Sequence, residues 1–360
     1  MKTVQKIGQF MMAGFEGTTP SKEIRELIKK RHVGGVILFS RNIENPAQCI
    51  KLTKSLQKLS PDAPLLIAVD QEGGRVSRFP ASFTPFPSAR TVGRCDSVSH
   101  TYRLGEAISK ELLAVGINMN FAPVLDVDTN PKNPIIGDRS FGSSPTLVSK
   151  HGLSMIAAML DCKVIPCGKH FPGHGDTDLD SHEALPRVQH AIIRLTDLEL
   201  RPFVHAIENR LPCVMTAHIC CTAFDDTLPA SLSKNVVTEL LRKTMKYDGV
   251  VITDDLEMRG VSDSFTVAEA AVRALQVGSD IVLVCHSYEQ QTAALDAMLS
   301  AVEKGEISEA RLEKSLGRIL ALKEHFLLQQ NHSIMKALRE TIGSEDHRDL
   351  VETIEKRGKA

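Results

Sequence analysis

The segment from His170 to His182 concentrates side chains that can carry out chemistry. Within thirteen residues it contains three histidines and three aspartates, namely His170, His174, Asp176, Asp178, Asp180 and His182. Imidazole and carboxylate groups at this density can bind a metal ion, or they can transfer protons during catalysis. Asp180 and His182 lie two positions apart, so the carboxylate can orient the imidazole and support its protonated form. A polar surface loop accounts for neither the density of these groups nor their position.

A metal site in this segment would need a recognisable ligand pattern. Asp176, Asp178 and Asp180 have the spacing with which a calcium-binding EF-hand loop begins. The sixth position of that loop is Ser181 instead of glycine and the twelfth is Arg187 instead of glutamate. The calcium interpretation therefore fails, whereas zinc stays open on composition alone.

The elements that position this segment follow from eight short apolar runs, separated by segments of helical periodicity. Most of the runs are nearly continuous in apolar residues, which is typical of parallel strands buried on both faces. Eight strands, each followed by a helix, predict an α/β fold with a single (β/α)8 TIM barrel. A doubly wound open sheet is the rival, but no GxGxxG follows the first run. The runs are 9–15, 35–39, 65–69, 117–124, 164–167, 213–217, 249–253 and 280–284.

Helix-boundary signals and composition divide the chain. Thr266 and Glu269 predict a capping box for a helix that ends at Gly278, and Thr196 and Glu199 repeat the same pattern. After Phe326 the chain becomes strongly charged and contains no proline. We therefore expect a catalytic TIM-barrel domain over residues 1–326 and a charged C-terminal helical extension or tail over residues 327–360.

Ionisable residues follow five of the eight predicted strands. The carboxyl ends of parallel barrel strands meet at one face, so these residues predict one shared site. Glu72 is left without a role because it has no strand-end position of its own, and Arg75, Asp126 and His174 are interpreted as supporting or structural residues. The segments are 70–78 after the third run, 126–128 after the fourth, 169–182 after the fifth, His218 after the sixth, and Asp254 with Asp255 after the seventh.

Composition excludes several classes of function. Lys and Arg number 43 and Asp and Glu number 44, so the net charge of −1 provides no field for binding nucleic acid. No apolar run approaches the roughly 20 residues that a membrane span requires. The eight cysteines are scattered and the N-terminus lacks the pattern of a signal peptide. We therefore expect reduced thiols and a soluble, cytoplasmic monomer that binds neither nucleic acid nor a membrane.

Three motifs, taken in order, resemble those of glycoside hydrolase family 3. They are DQEGGRV at Asp70–Val76, KHFPGHG at Lys169–Gly175 with DSH at Asp180–His182, and TDDLEM at Thr253–Met258. The DSH string in particular is similar to the β-N-acetylhexosaminidase branch of that family. The resemblance spans residues 7–322, and the segment after Phe326 matches no known pattern.

The resemblance implies a role for each matching residue. The family cleaves β-glycosides with retention through a covalent glycosyl-enzyme, for which Asp254 is the implied nucleophile, while Asp255 points elsewhere or follows the turn. His182, held by Asp180, is the implied acid–base, and imidazole suits this role because its ordinary pKa lies near 6.5. Sugar-binding residues are implied at Asp70, Arg78, Arg139, Lys169 and His170.

The resemblance also implies a substrate and a cellular role. No metal or cofactor is implied, and the expected substrate is GlcNAc-1,6-anhydroMurNAc with its stem peptide, cut to release GlcNAc during cell-wall recycling. A neutral imidazole does not repel phosphate, so phosphorolysis stands beside hydrolysis as a hypothesis. The alternative function is a metal-dependent TIM-barrel hydrolase that uses the cluster His170–His182, although no His-x-His pair occurs near the first strand. A catalytically silent sugar-binding barrel ranks last, because Asp254 and His182 are both present.

Overall fold

The computed structural model describes residues 1–61, 63–327 and 338–359. Eight parallel strands close into a barrel in the order β1-β10-β9-β7-β5-β4-β3-β2, and β6 pairs with β8 in a separate two-stranded ribbon. Every barrel strand overlaps one of the eight predicted runs, so the (β/α)8 TIM barrel is confirmed. The strands are β1 (Met11–Ala13), β2 (Gly35–Leu38), β3 (Leu66–Val69), β4 (Met119–Asn120), β5 (Ile165–Phe171), β6 (Arg187–Val188), β7 (Cys213–Thr216), β8 (Cys220–Cys221), β9 (Val250–Asp255) and β10 (Ile281–Val284).

The barrel strands are buried on both faces, which explains why their sequences are continuously apolar. All residues of β1, β2, β3 and β10 are buried, because the barrel interior covers one face and the surrounding helices cover the other. At Gly35 a side chain would not fit, since a Cβ there would lie 2.8 Å from the carbonyl oxygen of Leu66 on the neighbouring strand. The strands therefore carry apolar residues on both faces and do not alternate between apolar and polar side chains.

Helices cover the outside of the barrel. They are α1 (Thr3–Gly8), α2 (Lys22–Lys29), α3 (Pro46–Gln57), α4 (Ala89–Cys95), α5 (Val98–Ala114), α6 (Pro145–Asp161), α7 (Ile192–Asp197), α8 (Arg201–Glu208), a π-helix (Asn235–Thr244), α9 (Arg259–Ser262), α10 (Val267–Val277), α11 (Tyr288–Glu303), α12 (Glu309–Leu327) and a C-terminal helix (Glu345–Lys359). Short 3₁₀ turns lie at Ser40–Asn42, Gly137–Arg139, Ala230–Leu232 and Leu338–Thr341.

One of the two predicted capping boxes is present. The Thr266 hydroxyl accepts a hydrogen bond from the Glu269 N–H at 3.2 Å, and the Glu269 carboxylate accepts one from the Thr266 N–H at 2.9 Å. Helix α10 then ends before Gly278, whose φ of +121° favours glycine.

The capping box predicted at Thr196 and Glu199 is wrong. Helix α7 already contains Thr196, whose hydroxyl donates to the carbonyl of Ile192, and Glu199 pairs with Arg194. Helix α8 begins instead at Arg201, because the fixed φ of Pro202 suits the first turn of a helix.

The C-terminal helix packs against α4 and α5. It buries Leu350, Val351 and Ile354, and a Cβ at Gly358 would lie 2.6 Å from the carbonyl oxygen of Thr91. Residues 328–337 and residue 360 of the predicted extension lie outside the described residues. Among the helices that the structure describes, none has both the length and the apolar character needed to cross a bilayer.

Candidate active site

A cavity of about 250 Å³ opens at the carboxyl ends of the barrel strands. Four of the predicted site residues line it, namely Asp70 after β3, Arg78 in the β3–α4 loop, His182 in the β5–β6 loop and Asp254 on β9. Its remaining walls are mainly apolar or aromatic and include Ile37, Phe39, Phe121, Met215, Met258, Leu283, Cys285 and His286. The strand-end residues therefore converge as the barrel geometry predicts.

Beneath this cavity lies a network of buried ion pairs centred on Lys169. The Lys169 ammonium is 2% exposed and donates to Asp70 at 2.7 Å, and it lies 2.6 Å from Glu72. The guanidinium of Arg139 binds the Glu72 carboxylate through two parallel hydrogen bonds of 2.8 and 2.9 Å. Arg78 adds a third cation, 3.2 Å from Asp70. The predicted sugar-binding residues are thus held together by a carboxylate, Glu72, to which the sequence assigned no role.

These charges persist because each is compensated within the network. Burial alone raises the pKa of Glu72, but the neighbouring Lys169 and Arg139 hold it well below its usual range. The pKa of Asp70 is likewise lowered against the effect of burial by Lys169 and Arg78. Burial lowers the pKa of Lys169, and the two carboxylates raise it above its ordinary value. Of this network Asp70 and Arg78 line the cavity itself, where they present a fixed anion and a fixed cation, which suits a ligand rich in hydroxyl groups.

His170 is oriented by groups on two sides. Its Nδ1 lies 2.6 Å from Asp126, and its Nε2 lies 3.2 Å from the guanidinium of Arg139. An arginine can only donate, so Nε2 accepts and the ring proton lies on Nδ1, where it is donated to Asp126. Asp126 also accepts from the N–H of His174 at 2.7 Å. Asp126 is therefore a buried anchor for the end of β5 and for the loop that follows.

The two consecutive aspartates at the end of β9 have different surroundings. Asp254 is partly exposed to the cavity, and its carboxylate accepts the N–H of Asp255 at 2.8 Å. Burial raises the pKa of Asp254, but the imidazoles of His218 and His170 and this N–H bring it below the ordinary value. Asp254 is therefore an ionised carboxylate at the cavity wall, located at the end of β9.

Asp255 ties β9 to the end of β10 instead. One oxygen of its carboxyl group accepts from the N–H groups of Glu257 and Cys285, both at 3.2 Å. Burial, together with the negative charges of Glu257 and Asp254, raises the pKa of Asp255 to about 7. The other oxygen lies 3.4 Å from the imidazole of His286.

Asp180 and His182 form a local pair on the rim of the cavity. One carboxylate oxygen of Asp180 accepts both the backbone N–H and the Nδ1–H of His182, each at 2.8 Å. The Nε2 of His182 is therefore left for a ligand, and its side chain is 62% exposed. Burial raises the pKa of Asp180, but the hydrogen bonds and charge of His182 lower it below the ordinary value.

His174 anchors the same loop from below. It is buried between the hydroxyls of Thr177, 2.8 Å from Nδ1, and Ser181, 3.1 Å from Nε2. Burial lowers the pKa of His174 to about 4, so the ring is neutral. The Ser181 carbonyl accepts the N–H of Gly260 at 2.9 Å, which connects the loop to the start of α9.

The structure separates the histidines and aspartates that the sequence places close together. Asp176 faces His190 and Arg194, whereas His170, His174 and His182 each have the different partners described above. Within residues 1–61, 63–327 and 338–359, no three His, Cys, Asp or Glu side chains are arranged so that they could hold a metal ion. His170, His174, Asp176 and His182 are therefore each engaged with separate hydrogen-bonding partners.

The fold and the site together define a class of protein. It is a (β/α)8 barrel whose carboxyl-terminal face holds the ionised carboxylate of Asp254, the imidazole of His182 held by Asp180, and a network of buried ion pairs. Residues 2–322 match the sequence profile described as the glycosyl hydrolase family 3 N terminal domain. The chain belongs to this family.

Three known proteins are similar to nearly all of this chain, and the chain spans different shares of their lengths. It is 38% identical to beta-hexosaminidase A of Pseudoalteromonas piscicida over 92% of its length, and it spans 60% of that protein. It is 45% identical to the glycoside hydrolase family 3 beta-N-acetylglucosaminidase from Paenibacillus sp. str. FPU-7, with a TM-score of 0.96, over 99% of this chain and 69% of that one. NagZ from Neisseria gonorrhoeae, solved in complex with N-trifluoroacetyl-D-glucosamine, is 28% identical with a TM-score of 0.81, over 97% of this chain and 98% of that one.

The raised pKa of Asp255 predicts a specific dependence of stability on pH. The folded state binds this proton more tightly than the unfolded state, so the stabilisation is complete below the ordinary pKa of an aspartate and is lost as the pH rises through about 7. Asp255→Asn keeps the acceptor oxygen and cannot ionise. We expect this substitution to raise Tm relative to wild type by about 3 °C more at about pH 9 than at about pH 5, measured by thermal melts. An equal difference at both pH values would contradict the assignment.

Proposed function

We propose that the protein is a retaining exo-β-N-acetylglucosaminidase that forms a covalent glycosyl-enzyme on Asp254. The observation that carries this proposal is the presence, at one cavity, of the ionised Asp254 and of His182 with its Nδ1–H fixed by Asp180. A nucleophile and a proton donor beside one sugar-sized cavity are what retaining glycoside hydrolysis requires. The names of the Paenibacillus and Pseudoalteromonas relatives support the choice of a hexosamine.

Binding of the sugar falls to the ion-pair network. Asp70 has acceptor oxygens for hydroxyl protons, and Arg78, Lys169 and Arg139 supply donors for hydroxyl oxygens. His170, fixed by Asp126 and Arg139, completes the group. These side chains are already held in position before a sugar binds, so little side-chain conformational entropy is lost on binding.

The first chemical step breaks the glycosidic bond. Asp254 attacks the anomeric carbon while Nε2–H of the protonated His182 gives its proton to the leaving oxygen, so the aglycone departs as a neutral alcohol. The Asp180 carboxylate supports the positive charge on His182 before transfer. The product of this step is an ester between Asp254 and the sugar, with the anomeric configuration inverted once.

The second step releases the sugar. His182 is now neutral and takes a proton from water as the water oxygen attacks the anomeric carbon, which restores both His182 and the free Asp254 carboxylate. A second inversion returns the original configuration. Because a neutral imidazole does not repel an anion, phosphate can take the place of water at this step, and phosphorolysis is the hypothesis that product analysis must test.

The size of the cavity supports exo cleavage. A cavity of about 250 Å³ accommodates one pyranose ring, and the exposed His182 at its rim leaves the aglycone side open. We propose GlcNAc-1,6-anhydroMurNAc, with or without its stem peptide, as the substrate and cell-wall recycling in the cytoplasm as the role. The likeness to NagZ over 97% of the chain supports this assignment.

Activity on a chromogenic β-N-acetylglucosaminide tests the proposal against the metal-dependent alternative. We expect wild-type turnover that is unaffected by a chelator, and a loss of at least about 10³-fold in Asp254→Ala, because the nucleophile is removed. Turnover abolished by the chelator would instead favour a metal-dependent hydrolase.

The products identify the acceptor and the natural substrate in the same assay. Free GlcNAc in phosphate buffer indicates hydrolysis, whereas GlcNAc-1-phosphate indicates phosphorolysis. Failure to release GlcNAc from GlcNAc-1,6-anhydroMurNAc, under conditions in which the chromogenic substrate is cleaved, would contradict the muropeptide assignment.

The role of His182 predicts a dependence on the leaving group. His182→Ala should slow cleavage of substrates with poor leaving groups by about 10²–10⁴-fold, because they need the proton, and should slow activated aryl glycosides far less. The measurement is kcat/KM for a series of aryl glycosides of graded leaving-group pKa. Equal losses across the series would show that His182 is not the acid.

A further inference from the structure

One buried carboxylate, that of Glu111 on α5, joins the C-terminal helix to the loop between β3 and α4. Glu111 is 2% exposed, and it lies outside the cavity described above. The two segments that meet on it are more than 250 residues apart in the chain. No part of the proposed mechanism uses this residue.

The carboxylate of Glu111 receives four hydrogen bonds. Two come from the β3–α4 loop, from the hydroxyl of Thr84 and from its N–H at 3.2 Å. The other two come from the C-terminal segment, from the N–H of Gly343 at 3.0 Å and from Nδ1 of His347 at 2.9 Å. A buried carboxylate costs free energy unless its oxygens are satisfied by hydrogen bonds. The four hydrogen bonds therefore stabilise the Glu111 carboxylate and also fix the two segments relative to each other.

The two segments also contact each other directly. A Cβ at Gly343 would lie 2.7 Å from the carbonyl oxygen of Ser82, and the φ of +62° at Gly343 itself favours glycine. The rings of Phe86 and His347 lie 6.4 Å apart. The backbone of the C-terminal segment therefore sits close against residues 82–86 of the loop.

From Thr84 the contacts lead to the sugar cavity. The neighbouring Phe83 is buried and packs on Phe79, with ring centroids 4.3 Å apart. Phe79 follows Arg78, whose guanidinium lines the cavity, binds Asp70 and lies over the ring of Phe39 at 5.5 Å. The placement of Arg78 thus depends on a loop that Glu111 fixes at its far end.

The same loop is fixed at a second point. The carbonyl of Phe86 accepts the N–H of Gly74 at 2.9 Å, and a Cβ at Gly73 would lie 2.2 Å from the carbonyl oxygen of Pro87. Gly73 directly follows Glu72, whose carboxylate binds both Lys169 and Arg139. Glu72 and Arg78, the two parts of the loop that belong to the ion-pair network, are therefore each connected by these contacts to residues close to Thr84, which Glu111 holds.

We infer that Glu111 is a positioning residue, which with Gly343 and His347 of the C-terminal segment sets the β3–α4 loop so that Arg78 faces the sugar. This inference rests on the proposed function, since Arg78 is assigned to the sugar there. It makes Gly343 and His347 part of the machinery for substrate binding, although neither lines the cavity. Loss of a binding contact that is shared by ground state and transition state raises KM and leaves kcat unchanged.

The test compares two variants that weaken this connection with one that does not. Glu111→Gln replaces a carboxylate that accepts four bonds by an amide that presents one acceptor atom, and His347→Ala removes a single donor. Leu350→Ala removes apolar packing of the same helix and leaves the four bonds in place. We expect KM for the chromogenic glycoside to rise about tenfold in Glu111→Gln and less in His347→Ala, with kcat changed less than about twofold. Leu350→Ala should lower Tm with KM unchanged.

Two readouts separate this inference from the proposed function. Amide hydrogen exchange of residues 79–86, measured without any substrate, should speed up in Glu111→Gln and His347→Ala but not in Leu350→Ala. Wild-type KM in both variants despite a lower Tm would overturn the inference, and so would an equal rise of KM in Leu350→Ala. A wild-type protein that cleaves no β-N-acetylglucosaminide would reject the proposed function, and the exchange data would then still decide whether Glu111 fixes the loop. Unchanged exchange in Glu111→Gln and His347→Ala would overturn the inference that Glu111 fixes the loop.

Discussion

The compensation of charges buried at the mouth of the barrel is the constraint on which the rest of the site depends. Lys169 is almost fully buried, and an ammonium there without partners would cost several kcal/mol. Asp70 and Glu72 compensate it, and Glu72 is in turn held by Arg139. Removing any one of these side chains takes a partner from at least one other buried charge, so the residues have to be considered as a unit.

This network also explains how the site is ordered before a ligand binds. Arg139 reaches from Glu72 to His170 and fixes the side of the ring that accepts, while Asp126 fixes the side that donates. The more exposed part of the site is the rim, where Asp180 orients His182. Under the proposed function, buried ion pairs below a more exposed proton donor suit an enzyme that binds one sugar tightly and accepts a variable aglycone.

The sequence was sufficient for the barrel and for the residues at its strand ends, and insufficient for contacts between distant segments. Continuous apolar runs identified all eight strands because parallel strands are buried on both faces, and Asp70 and Asp254 followed from the strand-end rule. The role of Glu72 was missed because its partners lie 67 and 97 positions away in the chain. The connection of Thr84 to His347 through Glu111 was missed for the same reason, since these residues are also far apart in sequence. The Thr196–Glu199 cap failed because Pro202 and Arg194 decide the local structure.

The most direct test of the account is to trap the covalent intermediate on its nucleophile. A 5-fluoro derivative of N-acetylglucosaminyl fluoride forms the glycosyl-enzyme quickly, and the electron-withdrawing fluorine slows its breakdown. Peptide mapping of the inactivated protein by tandem mass spectrometry should then place the sugar on Asp254, whose carboxylate is ionised and lines the cavity, and not on the neighbouring Asp255. A sugar attached to Asp255, or inactivation without any attached sugar, would contradict a retaining mechanism that proceeds through Asp254.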